Sequence, residues 1–196
     1  MSTAPRLALI IGSTRPQRFA DKPAEWLMEQ AAKRDDFTLD RLDLRDFDLP
    51  FFAEMASNMH VPSADPKAVA WQEAIAPYDG YIFVVAEYNH SITAALKNAL
   101  DQAYVEWVRK PFSAFGYGST GGARAVEHLR GIGVELQMVP SKFGVHIGGS
   151  DLFKVHPFGG NLPISEIEDA IKPSADAMFD DLVWWSTTLR EARAAV

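Results

Sequence analysis

Residues 81–91 read Tyr81-Ile82-Phe83-Val84-Val85-Ala86-Glu87-Tyr88-Asn89-His90-Ser91: aromatic and β-branched residues without a polar break, then an abrupt polar turn. A run of that length and composition is a strand covered on both faces. Immediately downstream, Ile92, Ala95, Leu96, Ala99, Leu100 and Ala103 recur at intervals of three and four, which predicts a helix over about residues 93–104 with one apolar stripe. Far upstream, Leu7-Ala8-Leu9-Ile10-Ile11 is a second continuous aliphatic run, stopped by Gly12, and is the first strand of the chain.

The rest of the chain falls into the same rhythm. Ala20, Ala24, Leu27 and Ala31 line one face of a helix beginning near Asp21 and Pro23, and Phe37, Leu39, Leu42 and Leu44 mark a less regular strand. A long connection holding Pro50, Phe51, Phe52 and Pro62 leads to a short helix over residues 68–76. Beyond residue 91, strands are expected over 111–116 and 143–147 around a helix over 123–138. A final helical region over 165–195 is expected to break near Pro173. Strands and helices alternate five times, which favours right-handed crossovers and a doubly wound α/β fold, one parallel sheet with helices on both faces. Ligands bind such sheets outside the carboxyl ends of the strands, so the loops after strands one, three and four carry the functional reading.

The chain has 196 residues, 47% hydrophobic and 23% charged, consistent with one domain over residues 1–196. Nineteen Lys and Arg against 26 Asp and Glu leave a formal charge of −7, which argues against a nucleic-acid partner. Cysteine is absent, which excludes disulfides, thiolate nucleophiles and Cys-ligated metal and fits a reducing, cytoplasmic location. The longest apolar runs fall far short of the roughly 20 residues that a membrane-spanning helix needs, so no membrane insertion is expected. The five histidines never stand three or four apart, so no metal site is expected. His90 neighbours Tyr88 and reads either as a substrate contact or as a solvent-facing loop residue.

The first loop, Gly12-Ser13-Thr14-Arg15-Pro16-Gln17-Arg18, lacks both the spaced glycines of a dinucleotide fingerprint and the Gly-Lys-Ser/Thr ending of an ATP-binding loop. Its glycine, hydroxyls and two guanidinium groups ahead of a helix fit a phosphate monoester. They equally fit an ordinary polar turn. In the second loop, Tyr88 offers a flat face to a planar ring and Asn89 can hydrogen-bond the edge of that ring, or Tyr88 simply caps the core. The third, Tyr117-Gly118-Ser119-Thr120-Gly121-Gly122, has glycines that allow either close approach to a ligand or a tight turn.

As a set, Gly12-Ser13-x-Arg15, Glu87-Tyr88-Asn89-x-Ser91 followed by Leu96-Lys97-Asn98-Ala99-Leu100-Asp101, and Gly121-Gly122-x-Arg124-Ala125 resemble the NADPH-dependent FMN reductase family, flavodoxin-like quinone, azo and chromate reductases. Where that family's second motif begins with proline, this chain has Ala86, and Arg18 stands where many relatives carry a small or polar residue. The resemblance implies a flavodoxin-like five-stranded parallel sheet of order 2-1-3-4-5 and a noncovalent FMN. The implied FMN contacts are Gly12, Ser13, Thr14, Arg15, Gln17, Arg18, Phe19, Glu87, Tyr88, Asn89, Gly116, Tyr117, Gly118, Ser119 and Gly121. It implies NADPH or NADH as hydride donor, a quinone or similar small molecule as electron acceptor, and no catalytic side chain.

The competing reading is a flavin-binding electron carrier or sensor without NAD(P)H turnover. Arg15, Arg18, Arg109, Lys110 and Arg124, read as lying in or near the ligand-side segments, favour an anionic nicotinamide cofactor over a carrier with an acidic rim. Phe51, Phe52, Trp107 and Val108 supply apolar area that points to a homodimer or homotetramer, unless they pack within their own subunit. Of Trp184 and Trp185, at least one is expected in the core.

Overall fold

The computed structural model describes residues 4–195. Its sheet is parallel, built from β1 (Arg6–Ile11), β2 (Thr38–Asp43), β3 (Gly80–Ala86), β4 (Pro111–Tyr117), β5 (Val139–Pro140) and β6 (Val145–Ile147), in the order β2-β1-β3-β4-β5 with β6 also on β4. In register, Leu9 stands between Arg41 of β2 and Ile82 of β3. Because side chains alternate along each strand, the apolar runs feed two cores. Leu7, Leu9, Ile11, Ile82, Val84 and Phe115 meet the helices α1 (Asp21–Ala31) and α6 (Glu168–Ala194). Ala8, Ile10, Tyr81, Phe83, Val85 and Phe112 meet α2 (Pro66–Ile75), α3 (Ala94–Asp101) and α4 (Ala123–Glu135) on the other face. A short helix, α5 (Gly149–Val155), follows β6. β3 and β4 are buried along their whole length, as a strand covered on both faces must be.

Several expectations are corrected. The fifth sheet position is filled by two short strands: β5 pairs with Pro111 and Phe112, β6 with residues 115–117. Pro140 has no N–H to continue the ladder, and Ser113 Oγ donates to the Phe143 carbonyl across the gap. α4 stops at Glu135, three residues early, because the chain turns through Gln137 at φ 58° and Met138 N–H returns to the Gly133 carbonyl. α6 runs unbroken through Pro173, which lies near its start, and Ile171, Ala175, Met178, Phe179 and Leu182 bury one face of it. Trp107 is fully buried within its own chain, edge-on to Tyr81 at 4.8 Å, so truncation to Ala would cost about 3–5 kcal/mol and it offers nothing to a partner. Phe51, by contrast, is 82% exposed. Neither Trp184, exposed, nor Trp185, half-buried, enters the core; they stack on each other edge-on at 4.8 Å. No helix among the described residues is long and apolar enough to cross a membrane.

Candidate functional site

β1 is followed by Gly12, where a Cβ would lie 2.9 Å from Leu96 and 3.0 Å from the Val84 carbonyl. Close packing on β3 and α3 therefore fixes that glycine. Thr93 caps α3 by accepting from Leu96 N–H at 3.1 Å and donates to the Gly12 carbonyl, so α3 is tied to the loop that follows β1. In that loop, none of the backbone N–H groups of residues 13–15 and 17–19 has an acceptor among the described residues. Ser13 Oγ is buried and has no partner either. Buried polar groups are normally satisfied. The buried Ser13 hydroxyl together with these open amides is the chemistry an anion can use, and a phosphate offers acceptors to match.

The two loop arginines do different work. Arg18 is buried, and all five N–H donors of its guanidinium are taken: Asp21 at 3.0 and 2.5 Å, the Ser13 carbonyl at 2.7 Å, and Asp43 at 2.7 and 2.5 Å. Burial would lower its pKa, yet Asp43 and Asp21 outweigh that and raise it. Burial would raise the Asp43 carboxyl, but Arg18 and Arg45 hold it far below the usual range. Arg18 is thus a brace that shapes the loop, with no N–H left for a phosphate. Arg15 is exposed, and its one side-chain bond among the described residues runs to the Tyr88 hydroxyl at 3.2 Å.

Tyr88 and Ser91 close a tight turn by reciprocal backbone bonds of 2.9 and 3.0 Å. Asn89 and His90 between them sit at φ 50° and 68°, a strained backbone for residues with side chains. Below the turn, Glu87 is a strut. Its carboxylate, 5% exposed, pairs with Arg124 at 2.5 Å and accepts from Arg124 N–H at 3.2 Å and from the Thr120 hydroxyl. Burial pushes this carboxyl up, but Arg124 and the first amides of α4 hold it below its ordinary value. Arg124 also reaches His90 Nε2 at 2.8 Å, so His90 faces a cation from α4.

The third loop gathers behind this strut. Gly122 caps α4 at φ 70°, where a Cβ would strike Tyr117 N at 2.6 Å, so the tight-turn reading of these glycines holds there. Gly116 and Gly121 are enclosed by one another and by His146, whose Nδ1 lies 2.9 Å from the Gly121 carbonyl. Gly118 packs against Glu87, and the Ser119 carbonyl accepts from Gly149.

What the loops enclose is a cavity of about 290 Å³ lined by Ser13, Arg15, Gln17, Arg18, Phe19, Tyr88, Tyr117 and the stretch His156-Pro157-Phe158. Phe19 stands edge-on to Tyr117 at 5.0 Å, forming its floor. Burial pushes the Tyr117 hydroxyl well above its ordinary pKa, so it stays protonated at neutral pH. Thr14 instead lines a larger neighbouring cavity of about 470 Å³, between residues 44–51 and α3. Arg45 there is already engaged by Asp43 at 2.7 Å. Gly12, Glu87, Asn89, Gly116, Gly118, Ser119 and Gly121 shape the rim without lining the smaller cavity. Arg109 and Lys110 lie at the opposite end of the sheet, just before β4, which corrects their placement among the ligand-side cations. His156, Pro157 and Phe158 were not legible as site residues, because no periodicity or motif connects a His-Pro-Phe step to a loop some 140 residues earlier.

The model of the NADPH-dependent FMN reductase family matches residues 5–149. An NAD(P)H-dependent FMN reductase from Nectria sp is 34% identical over 158 residues, covering 76% of this chain and 79% of that protein. A 2-hydroxy-1,4-benzoquinone reductase from Burkholderia sp is 34% identical over 142 residues, 68% of this chain and 73% of that protein. Among solved structures, the flavoenzyme NAD(P)H:(acceptor) oxidoreductase FerB from Paracoccus denitrificans superposes with a TM-score of 0.71 at 21% identity, covering 94% of this chain and 98% of that one, a likeness of fold. The order of the strands, the loop motifs and these matches agree, and the chain belongs to the NADPH-dependent FMN reductase family.

Proposed function

We propose that this chain binds FMN at the carboxyl rim of its sheet, takes hydride from NADPH or NADH, and passes it to quinones or similar small acceptors. The observation that carries the reading is the loop of residues 13–19, with its unpartnered amides and the buried, unpartnered Ser13 hydroxyl. Bound there, the flavin supplies the hydride-accepting and hydride-donating ring, so no side-chain acid-base pair is needed.

The protein's contribution is position and charge. The amides of residues 13–15 and 17–19 and the Ser13 hydroxyl hold the phosphate. Arg15, exposed and held by the Tyr88 hydroxyl, turns to add a charge-assisted fork. Arg18 stays in its network with Asp21 and Asp43 and keeps the loop in shape. Tyr88, 36% exposed, offers a flat face to a ring, and the neighbouring Asn89 offers an amide to the edge of that ring. Glu87 locks this turn to the start of α4, whose positive dipole end then lies beside the site and favours an anionic reduced ring. Gly12, Gly116, Gly118, Ser119 and Gly121 act by letting the three loops close on one another.

As a whole we read residues 1–196 as one domain of a cytoplasmic enzyme, working as a homodimer or homotetramer through faces such as that of the exposed Phe51 and Met55. The test is an absorption spectrum of the purified protein, followed by NADPH oxidation with a quinone. The reading expects a flavin spectrum released on denaturation and turnover that depends on the acceptor. Flavin retained without any NADPH oxidation would mark an electron carrier, and no flavin uptake would end the assignment.

A further inference from the structure

We propose that His156 is a direct ligand of the bound phosphate, carried into the site by the segment 150–163, which lies beyond the residues that the family model matches. The inference rests on reading the rim as an FMN site. The segment is clamped to α1 by Lys22, whose Nζ donates to the carbonyls of Val155 at 2.8 Å, Asn161 at 3.1 Å and Leu162 at 2.9 Å, and to Asn161 Oδ1 at 2.9 Å. The clamp delivers the His156 ring to the cavity that Ser13, Arg15 and Gln17 also line. There its ring centroid lies 5.1 Å from that of Phe19, tilted, and 5.2 Å from that of Phe158, stacked.

The ring's polarity is set as firmly as its place. Phe158 N–H donates to His156 Nδ1 at 3.1 Å, which puts the proton of the neutral ring on Nε2. That Nε2–H has no acceptor among the described residues. A ring held against two aromatics, with its Nε2–H open in a cavity that the first loop also lines, is a ligand awaiting an acceptor.

The surrounding charges give the contact a pH signature. Arg15 from the first loop and Lys22 from α1 face the ring, Arg18 is neutralised by Asp21 and Asp43, and Asp151 and Lys154 on its own segment pair with each other at 3.3 Å. Burial first, then Arg15 and Lys22, hold the imidazole below its ordinary pKa, so it is neutral at pH 7 without a ligand. An opposite charge at hydrogen-bond distance raises a pKa by about 1–3 units. The phosphate therefore raises the His156 value, and the phosphate-dependent part of the affinity falls as pH rises through that raised value.

The experiment follows the His156 ring proton by NMR across pH in the intact protein, alone, with FMN and with riboflavin, which lacks the phosphate. FMN is expected to raise the titration midpoint by about one unit or more, and riboflavin to leave it unmoved. In parallel, His156→Phe keeps the stacking with Phe19 and Phe158 but removes the donor; its FMN Kd should rise about tenfold while its riboflavin Kd is unchanged. If the variant fails to fold, the wild-type titration decides alone. FMN bound with an unmoved His156 midpoint, or His156→Phe binding FMN as wild type does, overturns the ligand role and spares the FMN reading. Wild-type protein that binds no FMN at all overturns both.

Discussion

The two ends of the sheet hold charge for opposite purposes. At the amino ends of the strands, Asp79 accepts from Arg6 N–H at 3.0 Å, Arg190 at 3.3 Å and Arg193 at 3.0 Å. Beside it, Lys110 donates to the Ala76 carbonyl at 2.8 Å and the Tyr81 hydroxyl at 3.1 Å, with burial lowering its pKa to about 8. These groups bind one another and pin α6 to β1 and β3. At the carboxyl ends, the amides of residues 13–15 and 17–19 and the Ser13 hydroxyl have no partners among the described residues, while Arg18 beside them is fully engaged. Satisfied polar groups stabilise the fold, whereas unsatisfied, preorganised ones await a ligand. The contrast separates residues that matter for stability from residues that matter for binding.

The strongest challenge to that separation is Arg18→Ala, because Arg18 supports the binding end yet is built like the amino end. Removing it leaves Asp43 buried without its principal counter-charge and should destabilise the protein by about 3–5 kcal/mol in denaturant melts. A loss under 1 kcal/mol would show that Arg18 is not the brace described here. The same network has a pH signature. The Asp43 carboxyl is held down in the folded state, so its contribution is present above its unfolded value near 4 and is lost as acid brings the pH down toward its folded value. Chemical denaturation between about pH 5 and 2 should show a stability loss in wild type that is much smaller in Arg18→Ala.

Asp79→Ala tests the amino end. Three donors lose a shared acceptor, and a stability loss of about 2–3 kcal/mol is expected with FMN affinity unchanged. A weakened FMN Kd would blur the two ends. Arg15→Ala should do the converse: stability within about 0.5 kcal/mol of wild type, and FMN Kd raised about tenfold with riboflavin affinity unaltered. The smallest effect is assigned to Glu87→Gln. The Glu87 carboxylate is buried but Arg124 is 42% exposed, so water screens the pair and about 1 kcal/mol is expected from melting curves. Because this strut aligns two loops, FMN fluorescence titration should show a few-fold weaker binding, and none at all would remove Glu87 from the site's support.

Much of this fold is legible in the sequence. Buried runs such as residues 7–11 and 81–85 are unambiguous because both faces of those strands are covered, so no alternation is needed. The fifth sheet position was read as one strand because Phe143 to Ile147 looks apolar, whereas the ladder is broken by Pro140 and resumed at Val145. Local chemistry marks the first and second loops as candidates, though it equally allows an ordinary turn and a core-capping tyrosine. The division of labour between Arg15 and Arg18 is not legible there, since it depends on Asp43, distant in sequence and brought near by the β1–β2 pairing. His156 was invisible for the same reason: Lys22 brings it to the site through backbone carbonyls, which leave no mark on side-chain patterns.

The claim on which the account turns is that the loop after β1 is an anion cradle, and the direct measurement is the ratio of FMN to riboflavin affinity in the wild-type protein at neutral pH. The cradle predicts FMN binding at least about a hundredfold tighter, the effect of a few charge-assisted hydrogen bonds to one phosphate. Equal affinities, or a preference for riboflavin, would contradict it.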